Sequence, residues 1–197
     1  MSDAQPLRRA RFIKSAHELI HLPPDSGREV AICGRSNAGK SSAINAICDQ
    51  GKLARTSKTP GRTQQLVYFE VAPERHLVDL PGYGYAKVPL ALREHWQGVL
   101  EGFFMHRQAL CGLIVVMDIR HPMKEFDQQM LAFAAARGLP GHVLLTKADK
   151  ISRGAQAKTL LAVRRELGQR IGAQLFSATD GTGLDEARLV LRGWLGV

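Results

Sequence analysis

Short apolar runs alternate along the chain with longer segments in which apolar residues recur at helical spacing. The runs are rich in β-branched residues and show little polar alternation, which is typical of strands covered on both faces. They predict strands at residues 30–33, 66–69, 77–78, 113–117, 143–145 and 175–176. The other segments predict helices at residues 40–48, 90–105, 124–137, 156–171 and 184–194. This alternation predicts an α/β fold, with a mostly parallel central sheet flanked by helices on both faces.

The length and composition of the chain are those of a single soluble domain. Its 197 residues include 45% apolar and 23% charged side chains, and no repeat, low-complexity tract or linker divides them. We therefore expect residues 1–22 to form an N-terminal arm and lead-in, and residues 23–197 to form one domain. The longest apolar run, residues 130–136, is far shorter than the roughly 20 residues that a membrane span requires.

The cysteines and the N-terminal residues favour a cytoplasmic location. Cys33, Cys48 and Cys111 are odd in number and form no CxxC pair, which is typical of reduced thiols that pack as small core side chains. Residues 1–20 contain no apolar stretch of the kind found in a signal peptide. We therefore expect the protein in the cytoplasm.

The charge of the chain is basic and unevenly distributed. The formal net charge is +9, and residues 1–62 carry 11 basic and 5 acidic side chains, which is 6 of the 9 excess charges. Such an excess is typical of proteins that bind nucleic acids or other anionic partners. It comes largely from two groups: Arg8, Arg9, Arg11 and Lys14 in the arm, and Lys52, Arg55, Lys58 and Arg62 in an acid-free stretch.

A glycine-rich motif follows the first predicted strand and precedes the first predicted helix. Residues 34–41 read Gly-Arg-Ser-Asn-Ala-Gly-Lys-Ser, which matches the phosphate-binding pattern GxxxxGK[ST]. The glycines permit backbone angles that turn successive N–H groups towards phosphate oxygens. Lys40 would contact the β- and γ-phosphates, and the Ser41 hydroxyl would bind Mg²⁺. The alternative is a glycine turn that arose by chance, but the lysine, the serine and the flanking elements argue against it.

A second motif, Thr-Lys-Ala-Asp at residues 146–149, predicts guanine as the base. The Asp149 carboxylate can accept hydrogen bonds from the ring N–H and the exocyclic amine of guanine, a pair that adenine lacks. Lys147 would lie with its methylene stem over the base. Taken alone, residues 147–149 favour a solvated turn. Ser-Ala-Thr at residues 177–179 supports the guanine-binding interpretation instead, because it would donate a backbone N–H to the guanine carbonyl.

Two further segments complete the order of elements found in a GTPase domain. Asp79 ends a predicted strand and suits an outer-shell role, in which it holds Mg²⁺ through water, while the Gly82 N–H suits the γ-phosphate. Thr63 is the candidate for a second hydroxyl on Mg²⁺, although its loop, which contains Pro and Gly, also suits a simple connector. We expect Lys40, Thr63 and Gly82 to act directly in catalysis.

The amino-acid sequences of these motifs resemble those of one family in particular. The segments are GRSNAGKSS (34–42), KTPGRTQ (58–64), DLPGYGYAKV (79–88), DIRHP (118–122), LTKADK (145–150) and LPPD (22–25). They resemble the EngB family of bacterial ribosome-biogenesis GTP-binding proteins, within the TrmE-Era-EngA-EngB-septin-like GTPase superfamily. The resemblance runs from about residue 11 to the C-terminus.

The resemblance implies a Ras-like P-loop GTPase domain that cycles between GTP and GDP with Mg²⁺. It also implies a role in assembling the large ribosomal subunit, through ribosomal RNA and protein, and a link to cell division and septation. We expect a monomer that does not recognise DNA sequence. The expected nucleotide-binding residues are Gly34, Arg35, Ser36, Asn37, Ala38, Gly39, Lys40, Ser41, Ser42, Gly61, Arg62, Thr63, Gln64, Gln65, Asp79, Leu80, Pro81, Gly82, Thr146, Lys147, Ala148, Asp149, Phe176, Ser177 and Ala178.

The residue after Gly82 bears on the rate of hydrolysis. Many GTPases carry at this position a glutamine that orients the attacking water, whereas this chain has Tyr83. A phenol lacks the paired donor and acceptor of an amide, so we expect slow hydrolysis by the isolated protein. Residues 83–87 suit a switch surface that binds a partner, and they equally suit side chains that pack on the next helix.

The sequence allows two interpretations for each of two residues, Asn37 and Asp118. In the wider group that includes Era and MnmE, an asparagine at the position of Asn37 helps to bind K⁺ beside the phosphates, but this residue also suits a left-handed turn. Asp118 fits the family resemblance, but we expect it only to hold the turn before Pro122.

Two other functions are compatible with parts of the sequence. A metabolic P-loop kinase would need an acceptor site and a cluster of lid arginines, which are not evident, and the guanine motif argues against it. A septum-associated or polymerising GTPase without ribosome binding is the main alternative, although the coiled-coil or amphipathic extensions of such proteins are not evident either.

Overall fold

Helices and strands alternate through most of the chain in the computed structural model, which describes residues 5–55, 65–82 and 90–197. The strands are β1 (Arg11–Ala16), β2 (Arg28–Gly34), β3 (Leu66–Ala72), β4 (Arg75–Asp79), β5 (Leu110–Asp118), β6 (Gly141–Thr146) and β7 (Ile171–Leu175). The helices are α1 (Gln5–Arg8), α2 (Lys40–Ile47), α3 (Leu90–His106), α4 (Glu125–Ala136), α5 (Arg153–Leu167) and α6 (Leu184–Leu195). Short 3-10 turns lie at Leu19–His21 and Ala148–Lys150.

The strands form one sheet in the order β1-β3-β4-β2-β5-β6-β7. Strands β4, β2, β5, β6 and β7 run parallel, whereas β3 is antiparallel to both β1 and β4. Parallel neighbours need crossover connections, which here run through helices on the two faces of the sheet. The architecture confirms the predicted α/β class with a mostly parallel sheet.

The sheet separates two hydrophobic layers. On one face, Phe103 of α3, Met130 of α4 and Val163 of α5 pack against strand residues. On the other face, Ile44 of α2 and Leu191 of α6 do the same. Successive residues of β2 belong to the two layers in turn, which explains why this strand shows no polar alternation. In the part of the chain that the structure describes, no helix combines the length and apolar character needed to cross a membrane.

The helix predicted at residues 156–171 and the strand predicted at residues 175–176 have wrong boundaries. Helix α5 begins after Ser152, whose hydroxyl caps it, and is followed by Gly168, which has a positive φ of 69°. Ile171 then starts β7, which pairs with β6. The apolar residues on both sides of Gly168 keep a helical spacing, so periodicity alone missed the break.

Strand β1 lies within the expected N-terminal arm and is not among the predicted strands. It pairs with β3, and its register shifts between Phe12 and Lys14. This irregularity disrupts the two-residue periodicity by which strands are recognised, and the strand lies at the edge of the sheet, where most of its side chains are exposed or half-buried. Residues 11–16 are therefore part of the sheet, while the domain boundary at residue 23 stays a prediction.

A buried ion pair joins β2 to the residue after α3, and the same arginine also contacts the segment before β2. Glu29 is completely buried, and Arg107 donates to its two carboxylate oxygens, from Nε at 2.9 Å and from Nη2 at 2.5 Å. Arg107 also donates to the carbonyl oxygens of Pro23 and Pro24, at 2.9 and 3.0 Å. The Tyr68 hydroxyl donates to Glu29 at 3.2 Å. This network holds residues 22–25, one of the segments behind the family resemblance, at the amino end of β2.

Replacing Arg107 by alanine is expected to destabilise the protein by about 3–5 kcal/mol, because the buried Glu29 carboxylate would lose its partner. Urea unfolding of the variant measures the loss. The double variant Glu29→Gln/Arg107→Ala contains no unpaired buried charge, so it should recover part of the stability. A loss below about 1 kcal/mol, the range of an exposed ion pair, would contradict this expectation.

Candidate functional site

The carboxyl ends of the parallel strands meet at one edge of the sheet, where ligands of such folds bind. Gly34 ends β2, Asp79 ends β4 and Thr146 ends β6, while Phe176 follows β7. The structure therefore brings the predicted segments that follow these strands together at one edge.

The loop after β2 has the backbone of a phosphate cradle. Asn37 and Gly39 take positive φ angles of 63° and 93°, and α2 begins at Lys40. Gly34 packs closely against β5, since a Cβ atom on it would lie 2.6 Å from the Val116 carbonyl oxygen. The first N–H groups of a helix have no partner within it, so this loop can donate to phosphate oxygens. The other predicted residues of the segment lie in the same loop or the first turn of α2: Arg35, Ser36, Ala38, Ser41 and Ser42.

Lys40 and Asp79 form a buried ion pair between this loop and the end of β4. Their side chains are only 9% and 6% exposed. Burial raises the pKa of the Asp79 carboxyl, and the neighbouring Lys40 ammonium opposes that shift. The pair places one cation and one carboxylate side by side where β2 and β4 end.

The described residues expected to hold Mg²⁺ offer oxygen donors, which this ion prefers. The Ser41 hydroxyl belongs to the first turn of α2, and the Asp79 carboxylate lies beside the loop that precedes this helix. Mg²⁺ usually binds few protein groups and completes its octahedron with phosphates and water, so the donor set fits the ion. Among residues 5–55, 65–82 and 90–197, no group of three or more His, Cys, Asp or Glu side chains is placed to hold a metal ion.

Leu80, Pro81 and Gly82 lead from β4 towards the phosphate loop. Leu80 is completely buried, and its N–H donates to the Ile32 carbonyl at 2.9 Å. A Cβ atom on Gly82 would lie 3.8 Å from the Cα atom of Ser36. The backbone of Gly82 is therefore a neighbour of the phosphate loop, as its predicted contact with the γ-phosphate requires.

Asp149 lies in the turn after β6, with both carboxylate oxygens held by neighbours. Lys150 Nζ lies 2.8 Å from Oδ2, and the Ser177 hydroxyl donates to Oδ1 at 2.8 Å. The hydrogen bonds from Lys150 and Ser177 hold the pKa of this carboxyl below its usual value, so it is ionised at neutral pH. The turn is tied to β7, because the Ala148 N–H donates to the Phe176 carbonyl at 3.2 Å.

The loop after β7 narrows the choice of N–H donor for the predicted contact with the guanine carbonyl. The N–H of Ser177 donates to the Thr182 carbonyl at 3.0 Å, and that of Thr179 donates to the Ser177 hydroxyl at 3.2 Å. Within the described residues, the Ala178 N–H is the donor of this tripeptide that has no protein acceptor. The Phe176 side chain is completely buried and belongs to the core, so only the backbone of this residue can border a ligand.

Thr146 and Lys147 join the predicted base motif to the phosphate loop. The Thr146 hydroxyl contacts the Ala38 carbonyl and lies 3.0 Å from the Met117 carbonyl oxygen. Lys147 Nζ donates to the Asn37 carbonyl at 2.6 Å. The two motifs are therefore in direct contact.

Some predicted residues lie outside the part of the chain that the structure describes. They are Gly61, Arg62, Thr63 and Gln64, together with Tyr83. Gln65 is described, and its side-chain amide meets Nε2 of His17 at 2.6 Å. The roles of all these residues stay predictions.

Asp118 was expected only to hold a turn, and the structure adds a second contact. The Arg120 N–H donates to Oδ1 at 3.0 Å, as a turn-holding aspartate requires. Lys147 Nζ also lies 2.9 Å from Oδ2. The sequence offered one signal for this contact: Asp118 lies at the end of a central parallel strand, and therefore at the same edge of the sheet as the predicted ligand.

Comparison with known proteins shows to which family the chain is similar. Residues 29–147 match a family described as "50S ribosome-binding GTPase". The protein is 62% identical over 195 residues to a probable GTP-binding protein EngB of Stenotrophomonas maltophilia, with 97% of this chain and 98% of the relative covered. A probable GTP-binding protein EngB of Xanthomonas campestris is 57% identical over 195 residues, with 97% and 94% covered.

A solved structure supports the fold independently of close sequence similarity. The crystal structure of a probable GTP-binding protein EngB superposes with a TM-score of 0.69, and the match covers 85% of this chain and 98% of that one. The sequence identity is 19%. The similarity therefore concerns the fold, which is that of a Ras-like P-loop GTPase domain.

Proposed function

Because this chain belongs to the EngB family of GTP-binding proteins, we propose that it acts as a GTP-driven molecular switch in the assembly of the large ribosomal subunit. The observation that carries the nucleotide part is the meeting of the phosphate loop, Gly82 and Asp149 at one edge of the sheet. The matched family, described as ribosome-binding, supports the choice of partner.

The proposed nucleotide site assigns a chemical task to each segment. Loop N–H groups and Lys40 bind the phosphates, the Gly82 N–H meets the γ-phosphate, and Asp149 accepts from guanine, whose carbonyl receives the Ala178 N–H. Ser41 and Thr63 would hold Mg²⁺ directly, and Asp79 would hold it through water. The ion, when bound, neutralises charge that develops on the β- and γ-phosphate oxygens.

The proposed partner is the large ribosomal subunit or its precursor, contacted through ribosomal RNA and protein. Lys52 and Arg55 support this choice, because both are exposed and precede Thr63 in an acid-free stretch. This stretch would sense the nucleotide through Thr63 and so couple the nucleotide state to RNA affinity. We further propose that the protein works as a cytoplasmic monomer and is needed for normal cell division and septation.

Co-sedimentation with ribosomal particles tests the proposed partner. The GTP-analogue state should migrate with large-subunit particles on a sucrose gradient, and the GDP state should not. Lys52→Glu/Arg55→Glu should weaken this association at least about tenfold, since phosphate contacts dominate such binding. Its affinity for GTP should stay nearly unchanged.

The control reverses the same number of charges elsewhere. Arg153→Glu/Lys158→Glu changes two exposed residues of α5 and should leave co-sedimentation unchanged. Absence of the GTP-analogue state from large-subunit fractions would contradict the proposed partner. Nucleotide-dependent sedimentation without ribosomal particles would instead favour the polymerising GTPase.

The rate of hydrolysis and its dependence on K⁺ test the predicted role of Asn37. In Na⁺ the isolated protein should hydrolyse GTP at a rate on the order of 10⁻⁴–10⁻³ s⁻¹, and K⁺ should accelerate the reaction. Asn37→Gly keeps the left-handed backbone but removes the amide, so it should abolish the acceleration without loss of stability. Single-turnover assays measure both effects. Equal rates in the two salts would discard the K⁺ site, and a rate above about 1 s⁻¹ in Na⁺ would contradict slow intrinsic hydrolysis.

A further inference from the structure

The Lys147 side chain connects three parts of the candidate site. Its backbone takes a left-handed conformation, with φ 59° and ψ 32°, in the turn after β6. Its ammonium donates to the Asn37 carbonyl at 2.6 Å and lies 2.9 Å from Asp118 Oδ2. The Lys147 side chain therefore bridges the phosphate loop and the end of β5.

Asp118 is itself held firmly. Arg120 donates to Oδ1 from its backbone N–H at 3.0 Å and from Nε at 2.9 Å, and to Oδ2 from Nη2 at 2.6 Å. The carboxylate is only 15% exposed. Partial burial opposes its ionisation, but the hydrogen bonds from Arg120 and Lys147 hold the pKa of this carboxyl well below its usual range. Asp118 is therefore a fixed negative charge at the centre of the edge.

We propose that Asp118 is a positioning residue that orients Lys147, so that one ammonium braces the phosphate loop at Asn37 while its stem lies along the base. Arg120 supports this arrangement by fixing the carboxylate. A lysine has a flexible four-carbon stem, and restricting it before the nucleotide arrives lowers the entropy lost on binding. The inference rests on the proposed nucleotide site and adds a residue that contacts neither phosphate nor base.

The geometry separates this role from that of holding a turn. The turn depends on Oδ1, which accepts the Arg120 N–H, whereas the lysine contact uses Oδ2. Asp118→Asn can keep Oδ1 as an acceptor but replaces Oδ2 by an amide NH₂, which cannot accept from an ammonium. This substitution therefore retains the two contacts of Arg120 with Oδ1, including the one that holds the turn, and removes both contacts with Oδ2, from Lys147 and from Arg120 Nη2.

Dissociation of a fluorescent GDP analogue from the full chain tests the proposal through four proteins: the wild type, Asp118→Asn, Lys147→Ala and the double variant. Loss of a charged hydrogen bond should speed dissociation roughly tenfold in Asp118→Asn. In the Lys147→Ala background, the same substitution should change the rate less than about twofold, because the ammonium that Asp118 orients is absent. Asp185→Asn, which removes an exposed carboxylate paired with Arg188 on α6, should leave the rate unchanged.

Thermal unfolding of the four proteins without nucleotide shows whether the fold is retained. The proposal is supported if Asp118→Asn unfolds like the wild type yet releases GDP faster, with the non-additivity described. It is overturned if the rate stays within about twofold of wild type, or if the effect of Asp118→Asn is the same with and without Lys147. Failure of the wild type to bind GDP would overturn the nucleotide site as well, so the two failures are distinguishable.

Discussion

Replacing Lys40 by methionine is expected to lower the rate of GTP hydrolysis at least about 100-fold, because charge that develops on the transferred phosphoryl group would lose a preorganised cation. The side chain is buried beside Asp79, so its ammonium is already desolvated where the phosphate loop meets α2. Single-turnover hydrolysis at saturating GTP measures the effect on the chemical step separately from any loss of affinity.

The same substitution would leave the buried Asp79 carboxylate unpaired, so folding needs its own control. The double variant Lys40→Met/Asp79→Asn removes both charges and should be more stable than Lys40→Met alone, as urea unfolding would show. Hydrolysis by the double variant should stay as low as in Lys40→Met. Activity within about tenfold of wild type in a folded Lys40→Met variant would contradict the assigned role of the lysine.

Replacing Asp149 by asparagine is expected to weaken GTP binding at least about 100-fold, because an amide cannot accept both N–H groups of guanine. Xanthine carries a carbonyl where guanine carries the amine, and the new amide can donate to it. Affinity for xanthosine triphosphate should therefore rise as affinity for GTP falls. Competition binding with the two nucleotides measures the change.

Gain of xanthosine triphosphate binding also shows that the variant is folded and that its phosphate site is intact. A smaller effect is expected for Ser177→Ala, since the Ser177 hydroxyl orients Asp149 through one hydrogen bond at 2.8 Å. We expect a loss of about tenfold in GTP affinity and no gain for xanthosine triphosphate. Equal affinity of wild type and Asp149→Asn for GTP would place the base elsewhere.

The phosphate and base motifs were predictable because their chemistry is local. A glycine pair, a lysine and a serine within eight residues define a turn that can donate to phosphate, and the helix that follows begins at Lys40 as predicted. The central strands were recognised for a similar reason, since β2 is buried on both faces and needs an unbroken apolar run. The carboxyl-edge position of the site followed from these two facts.

Two other features are not visible in the periodicity of the sequence. Strand β1 lies at the edge with an irregular register, so its sequence lacks the period of a strand, and it was missed. The end of α5 depends on Gly168, which ends the helix although the apolar residues on both sides of it keep a helical spacing in the sequence. The pairing of β1 with β3 determined the first feature, and local periodicity contains no record of that pairing. The second depends on the backbone conformation of Gly168, which periodicity does not report.

By itself, the sequence determined the α/β class and was enough to predict the phosphate loop and the acceptor for guanine, because these predictions depend on residue type and short-range spacing. Only the tertiary structure decided that Lys147 reaches Asn37, 110 residues away, and that Asp118 lies beside that lysine. It also decided that Arg107 is buried against Glu29. Such contacts depend on the order of strands in the sheet, because this order decides which loops at its carboxyl edge lie within the reach of one side chain.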